Sequence, residues 1–417
     1  MLTKRFIALF RLLAVLVVSL GIASAQDEKL IVAGFSSSPE EDAMLTSLLE
    51  QFTEETGIEA EFIPSPDFTT TMQTAFASGE YANVFYIDSS KLPDWVEAGV
   101  VAVAEGELEN PEGFYPSLVN TFTYDGVLYC APKDYSTLAL QYNKDLFDAA
   151  GLEYPTPEWT WDDLMTAAAA LTDKDANVVG LVTPPDLNRW MPFLYQEGGA
   201  IFDEEGNYVM DSDAAKTSLE YYISFSTSGA GGTADSVDAG WGGEAFGKGN
   251  AAMVMEGNWS INFLLQNYPE LNWGVTELPS GSAGKATMAF TVCFAVGAEN
   301  NNPEGSWQLV NFLTGEAGQM KTAEVTFGPM PSRDSAAQTY LERWEEPAKG
   351  TKFNAADVEA FVAGAEYAYP WQLPLGFQPF IDAFNSSLQK AMAGEMTADD
   401  VLAEAKAAAE EIMSQAE

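Results

Sequence analysis

The sequence predicts an α/β fold. Three observations carry that reading: a strand–helix–strand unit at residues 30–63, alternation of strand and helix patterns almost to the end of the chain, and an apolar content of 47% that includes ten Trp, enough for a substantial core. LIVAGF (30–35) reads as a buried strand. In the SSSPEEDAMLTSLLEQFTEETG that follows, Ser38 is the candidate N-cap, Pro39 suits the first helical position and Glu41 completes a capping box. Leu45, Leu48, Leu49 and Phe52 recur on one helical face, and Gly57 ends the helix. IEAEFI (58–63) alternates as a strand.

The same pattern continues. A helix at 68–78 leads to a strand at 83–87, which ends in Asp88-Ser89-Ser90 before a helix near 92–98. GVLYCAP (126–132) and TLALQYN (137–143) read as two strands around Lys133-Asp134-Tyr135-Ser136. KDLFDAAGLEYPTPEWTWDDLMTAAAALT holds two helices split by a proline loop. VVGLVTP (178–184) is a strand, and a helix from about Trp190 ends before Gly198-Gly199. Residues 213–227 form a helix with Ala215, Leu219, Tyr222 and Ile223 on one face. Ala252 to Met255 is a short buried strand that turns at GNWS (257–260). The strand TMAFTVCFAVG (287–297), a helix at 303–314 and helical runs from 355 close the chain.

The opening MLTKRFIALFRLLAVLVVSLGIASAQ reads as a secretory signal over residues 1–25. Lys4, Arg5 and Arg11 are its basic start, Leu12 to Ile22 its apolar run, and Ala23-Ser24-Ala25 its cleavage site. The run is short for a span of about 20 residues, and no Cys follows it to carry a lipid. The mature protein is expected to be secreted, in the periplasmic or cell-surface space. The whole chain carries 62 acidic and 19 basic residues, a net charge of −43. Such a field repels nucleic acid and anionic lipid. Salt would relieve its self-repulsion, which points to a salty habitat. Histidine is absent, which excludes a Ser-His-Asp hydrolase and a histidine zinc site. No cofactor is expected.

In α/β folds ligands collect at the carboxyl ends of strands, beside helix N-termini. The candidates that follow strands are Ser36 and Ser37, Asp88 and Ser89, Asp186 to Trp190, and Trp259. Carboxylates and amides suit hydroxyls, and aromatic planes suit the C–H face of a sugar ring. Trp259 admits two readings, a core residue that rounds a corner or a platform for a ligand. Trp190 and Trp241 also lie in loop or Gly-rich contexts, whereas Trp159, Trp161 and Trp307 read as packing residues. GAGG (229–232) and GWGG (240–243) read as turns. Asp173, Asp175 and Asn177 imitate part of a calcium loop whose Gly and Glu are out of place. Tyr221-Tyr222 lies in an amphipathic helix, with no His to complete an iron site. Among 62 acidic residues, neighbouring carboxylates say nothing about glycosidase chemistry. No catalytic or metal-ligating set is expected.

LFDAAGLEYPTPEWTWDDLMTAAAALTDKDANVVGL resembles the signature segment of the family 1 extracellular solute-binding proteins of ABC transporters, among them the maltose- and oligosaccharide-binding proteins. KDYSTLALQYNKDLF, AFGKGNAAMVMEGNW, WGVTELPSG, WQLVNFLTGEAGQ and the tail MAGEMTADDVLAEA match that family in order. The resemblance covers nearly the whole mature chain. It implies a two-lobed periplasmic-binding-protein fold of type II, each lobe a central sheet flanked by helices. The N-lobe would hold 26–134 and 296–330, the C-lobe 137–293 and 333–417, with hinges near 133–137, 293–297 and 328–333. It implies a receptor of an ABC importer that captures a di- or oligosaccharide between the lobes, as a monomer, and delivers it to the permease subunits in the membrane. Receptors for a polyamine, an anion or a metal, and a secreted glycosidase, are the alternatives.

By the resemblance, Trp259 is the aromatic that stacks on a sugar; Asn258, its neighbour in the sequence, and Trp241, from its Gly-rich context, join it as candidates. Ser37 lies in the first strand–helix turn, Asp67 before the second helix, and Asp88 and Ser89 after the next strand. Tyr135 and Ser136 sit at the hinge, and Asp186, Asn188, Arg189 and Trp190 on the C-lobe rim. The first turn reads SSSPEE, without the Asp-Lys pair of the maltose binders, and the third strand ends in IDSS, without their Asp-Arg. A saccharide other than maltose is therefore expected. Arg189 leaves room for an acidic sugar or a sugar phosphate. Cys130 and Cys293 flank strands that are neighbours in the family. They could form a disulfide tying the hinge or remain buried thiols.

Overall fold

The computed structural model describes residues 29–36, 39–203, 205–325 and 328–416. The signal segment, Ser37 and the Ser38 cap lie outside the described residues. Thirteen strands form among the described residues: β1 (Leu30–Gly34), β2 (Ala60–Pro64), β3 (Val84–Asp88), β4 (Thr123–Tyr124), β5 (Val127–Leu128), β6 (Ala131–Asn143), β7 (Val179–Val182), β8 (Gly231–Gly232), β9 (Ala251–Gly257), β10 (Trp273–Thr276), β11 (Thr287–Val296), β12 (Met330–Pro331) and β13 (Ala368–Pro370). Eleven of them join one mixed sheet, in the order β2-β1-β3-β11-β6-β9-β7-β8. β10 and β12 also pair with β6, and β13 pairs with β11. β4 and β5 form a separate hairpin. The fold is α/β, as the alternation predicts.

Two long strands hold the molecule together by changing partners. β6 pairs through Ala131–Thr137 with β11, then through Leu138–Tyr142 with β9. β11 pairs through Thr287–Ala289 with β13 and through Val292–Val296 with β3. The core divides accordingly. Val84 to Ile87, Cys130, Ala131 and Val292 to Val296 belong to one apolar cluster, with the helix Pro39–Thr56 packed over it through Leu45, Leu48, Leu49 and Phe52. Beyond Thr137 the alternation of side chains feeds two clusters, one on each sheet face. Leu138, Leu140, Met253 and Met255 enter one, and Ala139, Val254 and Trp273 enter the other.

The sequence reading split β6 into two strands around Lys133 to Ser136, yet the chain forms one continuous strand. Its polar groups find partners inside the molecule, as buried polar groups must. Lys133 Nζ meets Glu41 Oε1 at 2.5 Å and also pairs with Asp134. The Lys133 carbonyl accepts from Gln319 Nε2, and Thr137 Oγ1 donates to the Phe361 carbonyl. The two cysteines are bonded: Cys130 and Cys293 form a disulfide with Cα atoms 5.8 Å apart. It joins the start of β6 to β11 inside the first cluster. The expected crossing at 293–297 lies within the ladder to β3, so β11 changes partner earlier, between Ala289 and Val292.

Two local expectations also change. GAGG supplies β8, and GWGG opens the helix Gly242–Gly247, where turns were expected. The helix expected from about Trp190 begins at Leu187. Asp186 caps it by accepting from the Asn188 amide, so the turn that carries Trp190 is already helical.

Candidate functional site

β7, β8 and β9 run parallel, and their carboxyl ends open into a cavity of about 340 Å³. Val182 and Pro184 follow β7, Thr233 and Asp235 follow β8, and Glu256 and Trp259 close β9. Asp186, Arg189 and Trp241 complete the wall. Apolar strand residues end at polar side chains here because the strand interior is core and its end is not.

The centre of this wall is an ion pair set between aromatic rings. Arg189 Nη2 lies 3.0 Å from Glu256 Oε2, and Trp259 Nε1 donates to the same oxygen at 3.2 Å. The guanidinium carbon stands 5.4 Å from the Trp259 ring centre and 5.5 Å from that of Phe290, a cation–π geometry. Phe290 meets Trp259 edge to face at 5.5 Å. Arg189 Nη1 also donates to Asn188 Oδ1 at 2.8 Å, which fixes the fork. Glu256 is only 4% exposed, and Arg189 and Trp259 are the polar partners of its Oε2 inside the wall.

Two glycines explain how both indoles come so close to backbone. A Cβ on Gly257 would stand 2.2 Å from the Trp259 ring, and one on Gly243 would stand 2.2 Å from the Trp241 ring. GNW and WGG thus supply an indole together with the bare backbone it rests on. Trp241 is further held by Phe263, with ring centres 4.9 Å apart.

A second wall forms at the carboxyl ends of the parallel strands β1, β2 and β3. Phe35, Pro66, Phe68, Asp88, Lys91 and Trp95 line a cavity of about 250 Å³ there. Burial raises the Asp88 carboxyl above its usual range, against hydrogen bonds from the Ser90 hydroxyl and amide and the Lys91 charge, which lower it. In the β3–β11 register Asp88 faces Val292. Phe290 is two residues further along β11, about 7 Å. β11 thus runs between the two walls, with Val292 beside Asp88 and Phe290 against Arg189 and Trp259.

Of the residues expected from sequence, Asp186, Arg189, Trp241 and Trp259 share the first cavity and Asp88 lines the second. Asn188 acts behind Arg189. Asp67 is exposed beside the second cavity, at the N-cap of the helix Phe68–Ser78, where its side chain makes no capping bond. Five expectations need correction, because burial removes these side chains from either wall. Trp190 is wholly buried and stacks on Phe384, with ring centres 5.0 Å apart. Asn258 is buried and donates to the Gly328 carbonyl and to Tyr340 Oη. Ser89 is buried, and its hydroxyl donates to the Trp371 carbonyl. Tyr135 packs on Tyr115, and burial pushes its hydroxyl well up. Ser136 is buried in β6 opposite Phe290. Ser37 lies outside the described residues. Glu256 and Phe290 were missed. The one local signal for Glu256 was a carboxylate at the end of an apolar strand, directly before GNW.

Among the described residues, no group of three or more His, Cys, Asp and Glu could hold a metal ion. No helix among them is long and apolar enough to cross a membrane.

Two walls at strand ends, joined by partner-changing strands, define a cleft-forming binding protein of the two-lobed α/β type. The chain belongs to the bacterial extracellular solute-binding proteins, whose family model matches residues 47–352. A Brucella abortus (strain 2308) protein described as a binding protein is 24% identical over 365 residues, covering 85% of each chain. The fold is similar to that of an ABC substrate-binding protein from Listeria monocytogenes in complex with cycloalternan. That match has a TM-score of 0.81 and 23% identity, covering 93% of this chain and 99% of that one. It is similar also to the GacH receptor of Streptomyces glaucescens, studied unliganded and with acarbose. Here the TM-score is 0.77 at 23% identity, again covering 93% of this chain and 99% of that one.

Proposed function

We propose that this protein is the saccharide receptor of an ABC importer, exported to the periplasmic or cell-surface space. It takes a di- or oligosaccharide between two lobes and presents it to a membrane permease. The observation that carries this reading is the first wall: two indoles resting on glycine backbone, beside a fixed Arg–Glu pair and Asp186. Rings suit the C–H faces of sugars, and fixed charged groups suit hydroxyls. The saccharide ligands of the two solved relatives support the same class. The Arg189 charge is already matched by Glu256, which favours a neutral sugar over an anion.

The lobes comprise 26–134 with 292–330, and 137–289 with 333–417. Hinges lie near 133–137 and 328–333, and on β11 at the partner exchange before Val292. Ligand selects the closed form through contacts to both walls. The receptor acts as a monomer and leaves its ligand chemically unchanged.

Intrinsic tryptophan fluorescence against a panel of mono-, di- and oligosaccharides tests this, with Trp259→Ala beside wild type. The expected result is a saturable change with one class of sugar, lost in the variant, and no product by chromatography. A folded Trp259→Ala that binds as wild type does would return Trp259 to the core. Turnover of the sugar would make the protein an enzyme.

A further inference from the structure

Among the described residues the sheet ends at β8, a strand of two residues with no further strand outside it. Beside that edge lies a cavity of about 520 Å³, larger than the one at Trp259. It runs back along β7 and β8 toward Lys174 and Asn177, roofed on one side by the end of the helix Gln378–Met392. The two cavities share Pro185, Thr233 and Asp235 as a common rim. Their long direction follows from the strands. β7 and β8 are parallel, with their carboxyl ends at the Trp259 cavity. The outer cavity therefore continues the inner one by the length of β7, about 10 Å at 3.3 Å per residue.

The lining of the outer cavity fits more of the same ligand. An ammonium (Lys174), two amides (Asn177 and Gln389), a hydroxyl (Thr233) and a carboxylate (Asp235) stand over an apolar floor of Val179 and Met392. These are hydroxyl-pairing groups on an apolar base, with no indole or phenyl ring among them. Small-ligand pockets span about 300–1,000 Å³, so the inner cavity lies near the bottom of that range. A ligand longer than the inner cavity must leave it somewhere, and Pro185, Thr233 and Asp235 border both cavities.

We propose that the cavity along β8 is an outer subsite of the same groove. It takes the distal units of a linear oligosaccharide whose inner units lie on Trp241 and Trp259. The inference rests on the saccharide reading above and adds to it the length and direction of the ligand. With no ring to stack on, the distal units are held by hydrogen bonds over an aliphatic floor, so each adds less affinity than an inner unit.

Calorimetric titration with linear malto-, manno- and arabino-oligosaccharides of two to seven units tests it. The variants are Ala393→Trp, which fills the outer cavity from an exposed helix end, and the double variant Lys174→Met with Gln389→Ala, which strips its polar lining. The expected result is a series in which long chains bind wild type about tenfold tighter than the disaccharide, about 1.4 kcal/mol. In both variants that gain should fall below about twofold while the disaccharide binds unchanged. Unchanged disaccharide binding also shows that the variants are folded. Three results would overturn the proposal: no gain with length in wild type, an undiminished gain in both variants, or equal losses for short and long chains. Each leaves the saccharide reading standing. If no oligosaccharide of any length bound wild type, the saccharide reading would fall and the outer subsite with it.

Discussion

The Trp259 indole stands where a side chain at position 257 would have to be. Gly257→Ala should therefore push the ring toward the cavity without changing a charge. The expected outcome is a saccharide affinity lowered by at least about tenfold, with stability lowered by about 1–3 kcal/mol, the cost of overpacking. Fluorescence titration and urea unfolding read the two effects separately. Asp88 gives a pH prediction. Burial raises its carboxyl, so on acidification it takes up a proton sooner than an ordinary Asp at about 3.9 and ceases to be a full acceptor. Affinity should fall as pH drops through that raised value, and Asp88→Asn should flatten that part of the profile. Proton uptake favours the folded form of this group, so the affinity loss should precede acid unfolding. Trp259 was legible because small polar residues and Gly flank it at a strand end. Glu256 was not, since one carboxylate among 62 acidic residues carries no weight until Arg189 and Trp259 are seen to share it. Trp190 was misjudged because its helix starts three residues early. The cue was Asp186, an N-cap directly after the proline pair Pro184-Pro185.

Among the elements, β6 bears the most. Its polar stretch looked like a break because its partners, Glu41, Gln319 and Phe361, are far away in sequence. Lys133→Met removes the ammonium between two buried carboxylates. It should cost about 3–5 kcal/mol, as breaking a buried ion pair does, measured by urea unfolding at neutral pH. The disulfide joins residues 163 apart in sequence. Cys130→Ser should cost about 2–5 kcal/mol, and reducing the wild type should give the same loss. The strand–helix units from Leu30 to Glu97 were legible from periodicity because their apolar faces are regular. The two-residue β8 was not, since a Gly pair carries no pattern and gains its strand geometry only by pairing with β7.

Across the whole molecule, a net charge of −43 opposes compaction. Added salt should raise the unfolding midpoint steadily up to about 1 M, where the screening length is about 3 Å. A midpoint indifferent to salt would remove the case for a salty habitat. The α/β class was legible from alternation, and the lobes from the resemblance. The place where β11 changes partner was not, because Thr287 to Val296 reads as one mostly apolar strand, and Thr291 at the exchange is a β-branched residue that any strand tolerates. The central claim is that a saccharide bound between the two walls draws the lobes together. Small-angle X-ray scattering, with and without a saturating saccharide, tests it most directly. The account predicts a smaller radius of gyration in the bound state. An unchanged profile from protein that calorimetry shows to be saturated would contradict it.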